Sequence, residues 1–204
     1  YKSRIDKNNI IGIVLNNKVI YGKDTFTMNV DDYKFETTYN SFFQVNINGC
    51  KKIFDLIKNN INRNDKVLDL YSGVGTLSIV AASKANKVLG VEVIENAVIN
   101  AKKNALLNDI HNIDFLCGDV PKIIKDINND YNLVIVDPPR AGLDNFTTNY
   151  LLNNNIEKVI YVSCNPITLS RDLSKLITKY NIKEFNIVDM FPYTYHCETI
   201  TILE

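Results

Sequence analysis

Val67-Leu68-Asp69-Leu70-Tyr71-Ser72-Gly73-Val74-Gly75-Thr76 is an apolar run of strand length that passes through two glycines into a helix-forming segment. Glycine accepts the sharp backbone reversal such a junction needs and leaves room for a ligand to approach the main chain. Outward from this turn the apolar residues switch repeatedly between a period of two and a helical period. We read strands at 67–70, 87–91, 113–117, 133–137 and 158–163, and helices at 76–85, 95–108, 120–127, 145–154 and 166–180. Cys50, Ile53, Phe54, Ile57 and Ile61 add a helix ahead of the first of these strands. Such alternation predicts an α/β fold: a doubly wound, mostly parallel sheet with helices on both faces. Two further strands, 184–190 and 199–203, bring the sheet to seven. Only about eight residues separate that last pair, too few for a parallel crossover, so it is predicted to be antiparallel.

Residues 1–40 read differently. The runs 10–15, 19–21 and 26–30 are short and β-prone, with Asn16-Asn17 as a turn between the first two. We assign 1–40 to a small β appendage, the remnant of a neighbouring domain, and 41–204 to the α/β domain. The chain starts at Tyr1 with no signal-peptide pattern, which reads as a start inside a longer polypeptide.

The 204 residues carry 23 Lys+Arg against 23 Asp+Glu, a net charge of zero. A free-standing nucleic-acid binder usually has a basic excess, so this composition argues against autonomous RNA affinity. No apolar stretch approaches the roughly 20 residues of a membrane-spanning helix. Cys50, Cys117, Cys164 and Cys197 show no metal-ligand spacing, and without export signals they read as reduced cytoplasmic thiols.

Parallel sheets of this kind bind ligands at the carboxyl ends of their strands. Glu92 ends the second strand, 19 residues after Gly73, where an acidic side chain can accept hydrogen bonds from both ribose hydroxyls of a nucleoside. A dinucleotide site would want a third glycine, but Thr76, Leu77 and Ser78 follow Gly75. Asp69 before the turn, and Gly118-Asp119 after the third strand, suit S-adenosylmethionine (SAM) better, with Asp119 placed to receive the adenine amino group. Asp137-Pro138-Pro139-Arg140 follows the fourth strand. Its two prolines make a stiff loop against which a planar base can rest, and Arg140 stands where base amino-methyltransferases place a stacking aromatic. That weakens an amino-methylation reading and makes Arg140 a candidate substrate contact.

Tyr161-Val162-Ser163-Cys164-Asn165-Pro166 ends the fifth strand, with Asn165 as helix N-cap and Pro166 as first helical residue. Cys164 then precedes a helix N-terminus, whose positive end favours thiolate. If the final strand inserts antiparallel beside the fifth, Glu198 meets Cys164 at one rim of the sheet, although 34 residues separate them. A nucleophile and a base result. Cys197 alternates to the other side of that strand and reads as core.

Ser41-Phe42-Phe43-Gln44-Val45-Asn46, the Asp69–Gly75 turn, Asp137-Pro138-Pro139-Arg140, Val162-Ser163-Cys164-Asn165-Pro166 and His196-Cys197-Glu198-Thr199 together resemble, in the same order, the signatures of the RNA uracil-5 methyltransferase family. The resemblance covers most of residues 37–204. It implies a SAM-dependent catalytic domain in which Gln44, Tyr71, Glu92 and Asp137 contact SAM, with Asp119 beside them. It also implies Cys164 as the nucleophile that adds to carbon-6 of uracil and Glu198 as the base that removes the carbon-5 proton. Thr168-Leu169-Ser170-Arg171-Asp172 and Glu198-Thr199 look more like the branch acting on 23S ribosomal RNA than the transfer-RNA branch. Family members usually carry an N-terminal RNA-binding domain, and some an iron–sulfur cluster. Neither has a counterpart in these residues.

Overall fold

The computed structural model describes residues 10–38, 46–128, 130–194 and 196–204. Four short strands come first: β1 (Gly12–Leu15), β2 (Lys18–Gly22), β3 (Thr25–Val30) and β4 (Tyr33–Thr38). β1 and β2 form one antiparallel hairpin and β3 and β4 another. Asn16 and Asn17, at φ 48° and 60°, make the first turn in the left-handed conformation that asparagine tolerates best after glycine.

β4 has no counterpart in the sequence reading, and its inward residues explain its presence. Phe35 and Thr37 are fully buried. The Phe35 ring meets Phe54 edge-on at 6.1 Å. The hairpin is also tied down by backbone bonds: Lys34 N–H donates to Asn108 Oδ1 at 2.8 Å and Glu36 N–H to Asn104 Oδ1 at 2.7 Å.

The remaining elements alternate as predicted: α1 (Ile47–Asn59), β5 (Lys66–Leu70), α2 (Thr76–Ala82), β6 (Lys87–Glu92), α3 (Glu95–Leu107), β7 (Ile113–Cys117), α4 (Val120–Asp126), β8 (Leu133–Val136), α5 (Asn145–Asn153), β9 (Lys158–Ser163), α6 (Pro166–Leu176), β10 (Ile182–Val188) and β11 (Glu198–Leu203). β5 to β11 form one seven-stranded sheet in the order β10-β11-β9-β8-β5-β6-β7. β6, β7, β8 and β9 continue it in parallel from β5, while β11 is antiparallel to both β9 and β10.

Alternate residues of each strand enter two separate cores, as a period of two requires. Val67, Val88, Ile135, Ile160 and Ile200 pack with α1, α2 and α3, and Val30 and Phe35 of the second hairpin join them. Leu68, Leu70, Val91, Val136 and Tyr161 pack with α4, α5 and α6. Both faces are thus covered, and the strands read as nearly continuous apolar runs for that reason.

Several boundaries differ from expectation. α2 stops at Ala82 rather than 85, because Ser83 Oγ turns back to Val80 O and Asn112 Nδ2 takes the free carbonyls of Ala82 and Ala85. α6 stops at Leu176 rather than 180. Thr178 N–H bonds to Lys175 O, a tighter turn that carries Tyr180 into the core, where its hydroxyl donates to Leu151 O at 2.6 Å. β10 begins at Ile182 and ends at Val188, since Asp189 O is taken by Asn46 Nδ2 at the start of α1. Among the described residues no helix is long and apolar enough to cross a membrane, and no three His, Cys, Asp or Glu side chains are grouped to hold a metal.

Candidate active site

The glycine turn after β5 is built for approach from outside. Tyr71, Gly73 and Gly75 all have positive φ, at 66°, 56° and 82°. A Cβ on Gly75 would come within 2.8 Å of Phe115 Cζ and 2.9 Å of Ala101 Cβ, so this glycine lets α2 and α3 close on the sheet. A Cβ on Gly73 would meet nothing within 4 Å, so open space adjoins the main chain there. Glu92, at the end of β6, faces the same turn, with Oε2 accepting from Gly73 N–H at 3.0 Å and Oε1 from Ile94 N–H at 2.8 Å. Each carboxylate oxygen keeps a second lone pair for a ligand hydroxyl.

Asp69 is fully buried under the turn and receives the Ser78 hydroxyl, linking β5 to α2. Burial, opposed by that hydrogen bond, pushes its pKa up to about 7. Its other oxygen and the buried Ser72 Oγ have no partner among the described residues. Buried oxygens without a partner in the strand and turn fit a polar ligand at this turn, since such groups are costly to leave unbonded. The Tyr71 hydroxyl reaches Asp144 Oδ2 at 3.2 Å and Thr147 Oγ1 at 3.3 Å, with its pKa raised to about 12 by burial. Asp119 is exposed as the N-cap of α4, close enough for its charge to act on Tyr71.

A second group gathers along the same edge. β11 and β9 pair with Thr199 opposite Ser163, and Thr199 Oγ1 donates to Ser163 O at 3.1 Å. Glu198 and Cys164 are the chain neighbours of that last pair, and the Glu198 charge acts on the thiol. Cys164 is half-buried, and its pKa is raised by burial, then by the charges of Glu198 and Asp137, while Arg140 opposes them. The sequence reading had a helix N-terminus favouring the thiolate. Asn165 does cap α6 by accepting from Ile167 N–H at 3.1 Å, but desolvation and two carboxylates outweigh that influence. Glu198 is 4% exposed, and burial lifts its pKa to about 7, with Arg140 again opposing. Asp137 lies well above the usual carboxylate range through burial and the charges of Glu198 and Asp69.

Of the residues singled out in the sequence, Tyr71, Glu92, Asp119, Asp137, Arg140, Cys164 and Glu198 therefore all lie along the carboxyl edge of the sheet. Gln44 lies outside the described residues, as does most of its motif. Cys197, expected in the core, is only partly buried. Two contributors escaped the sequence reading. Asn104 is fully buried in α3, donating to Val74 O in the glycine turn at 3.1 Å while accepting from β4. Asp172 is fully buried in α6. The available signal was a polar residue standing where the helical period calls for an apolar one.

Solved structures share this fold. The Pyrococcus abyssi tRNA (uracil-54, C5)-methyltransferase in complex with S-adenosyl-L-homocysteine superposes with a TM-score of 0.81 at 33% identity, covering 90% of this chain and 45% of that one. The M. jannaschii tRNA m1G37 methyltransferase shares the fold, with a TM-score of 0.68 at 18% identity over 92% of this chain and 59% of that chain. The class is thereby defined: an α/β methyltransferase domain of the SAM-dependent type. The family described as tRNA (Uracil-5-)-methyltransferase matches residues 2–119 and 121–204, and the chain belongs to that family. An RNA methyltransferase of Caldanaerobacter subterraneus is 40% identical over 190 residues, 92% of this chain and 42% of that protein. One of Clostridium acetobutylicum is 41% identical over 188 residues, 91% of this chain and 41% of that protein. The chain thus spans about two-fifths of the length of these curated relatives.

Proposed function

We propose that the protein methylates carbon-5 of a uridine in RNA, with Cys164 as nucleophile and Glu198 as base. The observation that supports this reading is the pairing of β9 with β11 through Ser163 and Thr199, the neighbours of Cys164 and Glu198, together with the charge effect of Glu198 on the thiol. SAM, when bound, supplies the electrophilic methyl group. The residues that would hold it are Glu92, through the ribose hydroxyls, with Tyr71, Asp119, Asp137 and Gln44.

Carbon-5 of uracil is a poor nucleophile. Addition of the Cys164 sulfur to carbon-6 converts the ring to an enolate whose carbon-5 can accept the methyl group. Glu198 then takes the proton from carbon-5, and the returning electron pair expels the sulfur, restoring the thiolate and the aromatic base. Burial keeps Glu198 basic enough for that task near neutral pH. The thiol, raised by burial and by its carboxylate neighbours, must lose its own proton first, and the Arg140 cation assists that loss. The uridine must leave its stack to reach this rim.

Ribosomal RNA is the substrate we favour, on the resemblance of 168–172 and Glu198-Thr199 to that branch. Transfer RNA is the second reading, and the likeness to the uracil-54 enzyme of Pyrococcus abyssi supports it. We place the protein in the cytoplasm, with RNA grip supplied by segments outside these 204 residues, consistent with the zero net charge. The test is a denaturing-gel assay of the full-length protein with SAM and 5-fluorouracil-substituted ribosomal or transfer RNA. A covalent complex is expected with one RNA and is lost in Cys164→Ala. Methylation that survives Cys164→Ala overturns the mechanism.

A further inference from the structure

The first two turns of α6 fasten the loop that follows β8. Asn165 Nδ2 and Thr168 Oγ1 both donate to the Arg140 carbonyl, at 3.0 and 3.2 Å. Arg171 Nη2 donates to Ala141 O at 2.8 Å and to Leu143 O at 3.3 Å. Asp172 Oδ2 accepts from Leu143 N–H and from the Tyr161 hydroxyl, each at 2.8 Å. Its Oδ1 accepts from Arg171 Nε at 2.9 Å and Nη2 at 2.8 Å. All four acceptor positions of this buried carboxylate are thereby used within the protein. Gly142 passes tightly beneath the pair: its φ is +77°, and a Cβ there would lie 2.5 Å from Asp172 Oδ2 and 2.6 Å from Arg171 Nη2.

The loop therefore carries Asp137 at one end and is clipped over 140–143 to a helix whose N-cap follows Cys164 directly. Arg140 projects from the clipped stretch as an exposed residue. Its charge acts on both Cys164 and Glu198. The charged groups that act on the thiol are Asp137 and Arg140 from this loop and Glu198 from β11. Glu198 in turn acts on Cys50 of α1, whose thiol burial lifts to about 11.

We propose that Arg171 and Asp172 are positioning residues, clipping the loop after β8 onto α6 so that the Arg140 guanidinium is held beside Cys164 and Glu198. This rests on the reading of Cys164 and Glu198 as the reacting pair. It gives Arg171 and Asp172 a task separate from RNA contact, since Arg171 Nη2 and Asp172 Oδ2 are bonded to the loop backbone.

The test is peptide-resolved alkylation of Cys164 against pH in the full-length protein, comparing Arg140→Met, Arg171→Met and Asp172→Asn, together with the Arg140→Met/Arg171→Met double variant. Removing the cation in Arg140→Met moves the midpoint to higher pH. Arg171→Met and Asp172→Asn move it the same way with Arg140 intact, and the double variant moves it no further than Arg140→Met alone. In methyl transfer, kcat of Arg171→Met falls by roughly 10- to 100-fold, as misplacement of a reacting group does, with KM for RNA less affected. Arg171 is half-exposed, so Arg171→Met carries the test if Asp172→Asn does not fold. An unmoved midpoint in folded Arg171→Met, an unmoved midpoint in Arg140→Met, or additive shifts in the double variant overturns the proposal. Alkylation needs neither RNA nor SAM. The expected shifts in a protein that methylates no uridine would leave the clip standing and remove the uracil-5 reading instead.

Discussion

Glu198 opens β11 next to Thr199, which pairs with Ser163, and Cys164 leaves β9 next to Ser163, so that the Glu198 charge acts on the Cys164 thiol at the carboxyl edge of the sheet. Antiparallel neighbours in register project to the same face. A strand inserted parallel at this position would send its first residue to the opposite edge, and the acid would be lost to the site. The reversal of β11 is thus the topological feature on which the proposed chemistry depends.

With Glu198 as the proposed base, activity should rise with pH through about 7, because its carboxylate must be charged to remove a proton and its pKa is lifted to about that value by burial. The rise continues to higher pH, since the Cys164 thiol is also raised and must ionise to add to the ring. Glu198→Gln removes the limb near 7 and lowers kcat by about 10²- to 10⁴-fold. It still permits addition and methylation, so the enzyme–RNA adduct accumulates with ordinary uridine RNA and SAM. Steady-state kinetics across pH and a denaturing gel check both outcomes.

Asp69 makes stability depend on pH in an identifiable direction. Its folded pKa of about 7 exceeds the ordinary value of 3.8. Below 3.8 both states hold the proton. Between 3.8 and about 7 the unfolded chain releases it while the folded chain keeps it, so stability falls as pH rises and levels off above about 7. Asp69→Asn should flatten this slope and raise the melting temperature at pH 7.5. Part of the slope persists, because Asp137 and Glu198 are raised as well. Calorimetric melting from pH 4 to 8 in the absence of SAM measures the difference.

The two glycines of the turn should fail in different ways. Gly75→Ala drives a methyl group into Phe115 and Ala101 at a positive-φ position, and overpacking of this kind costs about 1–3 kcal/mol. Gly73→Ala meets no protein atom, so only the backbone strain of about 1–2 kcal/mol applies to stability, but the methyl group intrudes on the open space beside the turn. Melting curves should therefore show the larger loss for Gly75→Ala, and calorimetric titration with S-adenosylhomocysteine the larger loss of affinity for Gly73→Ala relative to its stability.

The alternation of apolar runs carried the sheet, its helices and the antiparallel final pair, because local periodicity reports which face of an element is buried. Helix ends were less legible. Asn112 and Asn46 intercept carbonyls from distant parts of the chain, at Ala82 and Asp189, and no local pattern announces such partners. β4 escaped for a related reason: its strand character comes from Phe35 packing on Phe54 and from Asn104 and Asn108 receiving its backbone, all of them remote in sequence.

By itself the sequence determined the alternating α/β architecture and the strand-end positions where chemistry-bearing side chains fall, since both follow from spacing and residue type along one segment. The tertiary structure alone decided the ionisation of those groups and the anchoring of the loop that carries Arg140. The Cys164 thiol is pushed up rather than down, because desolvation and the charges of Asp137 and Glu198 are sums over atoms that only folding brings together. Burial and electrostatic coupling depend on distance through space, which a linear order of residues does not contain.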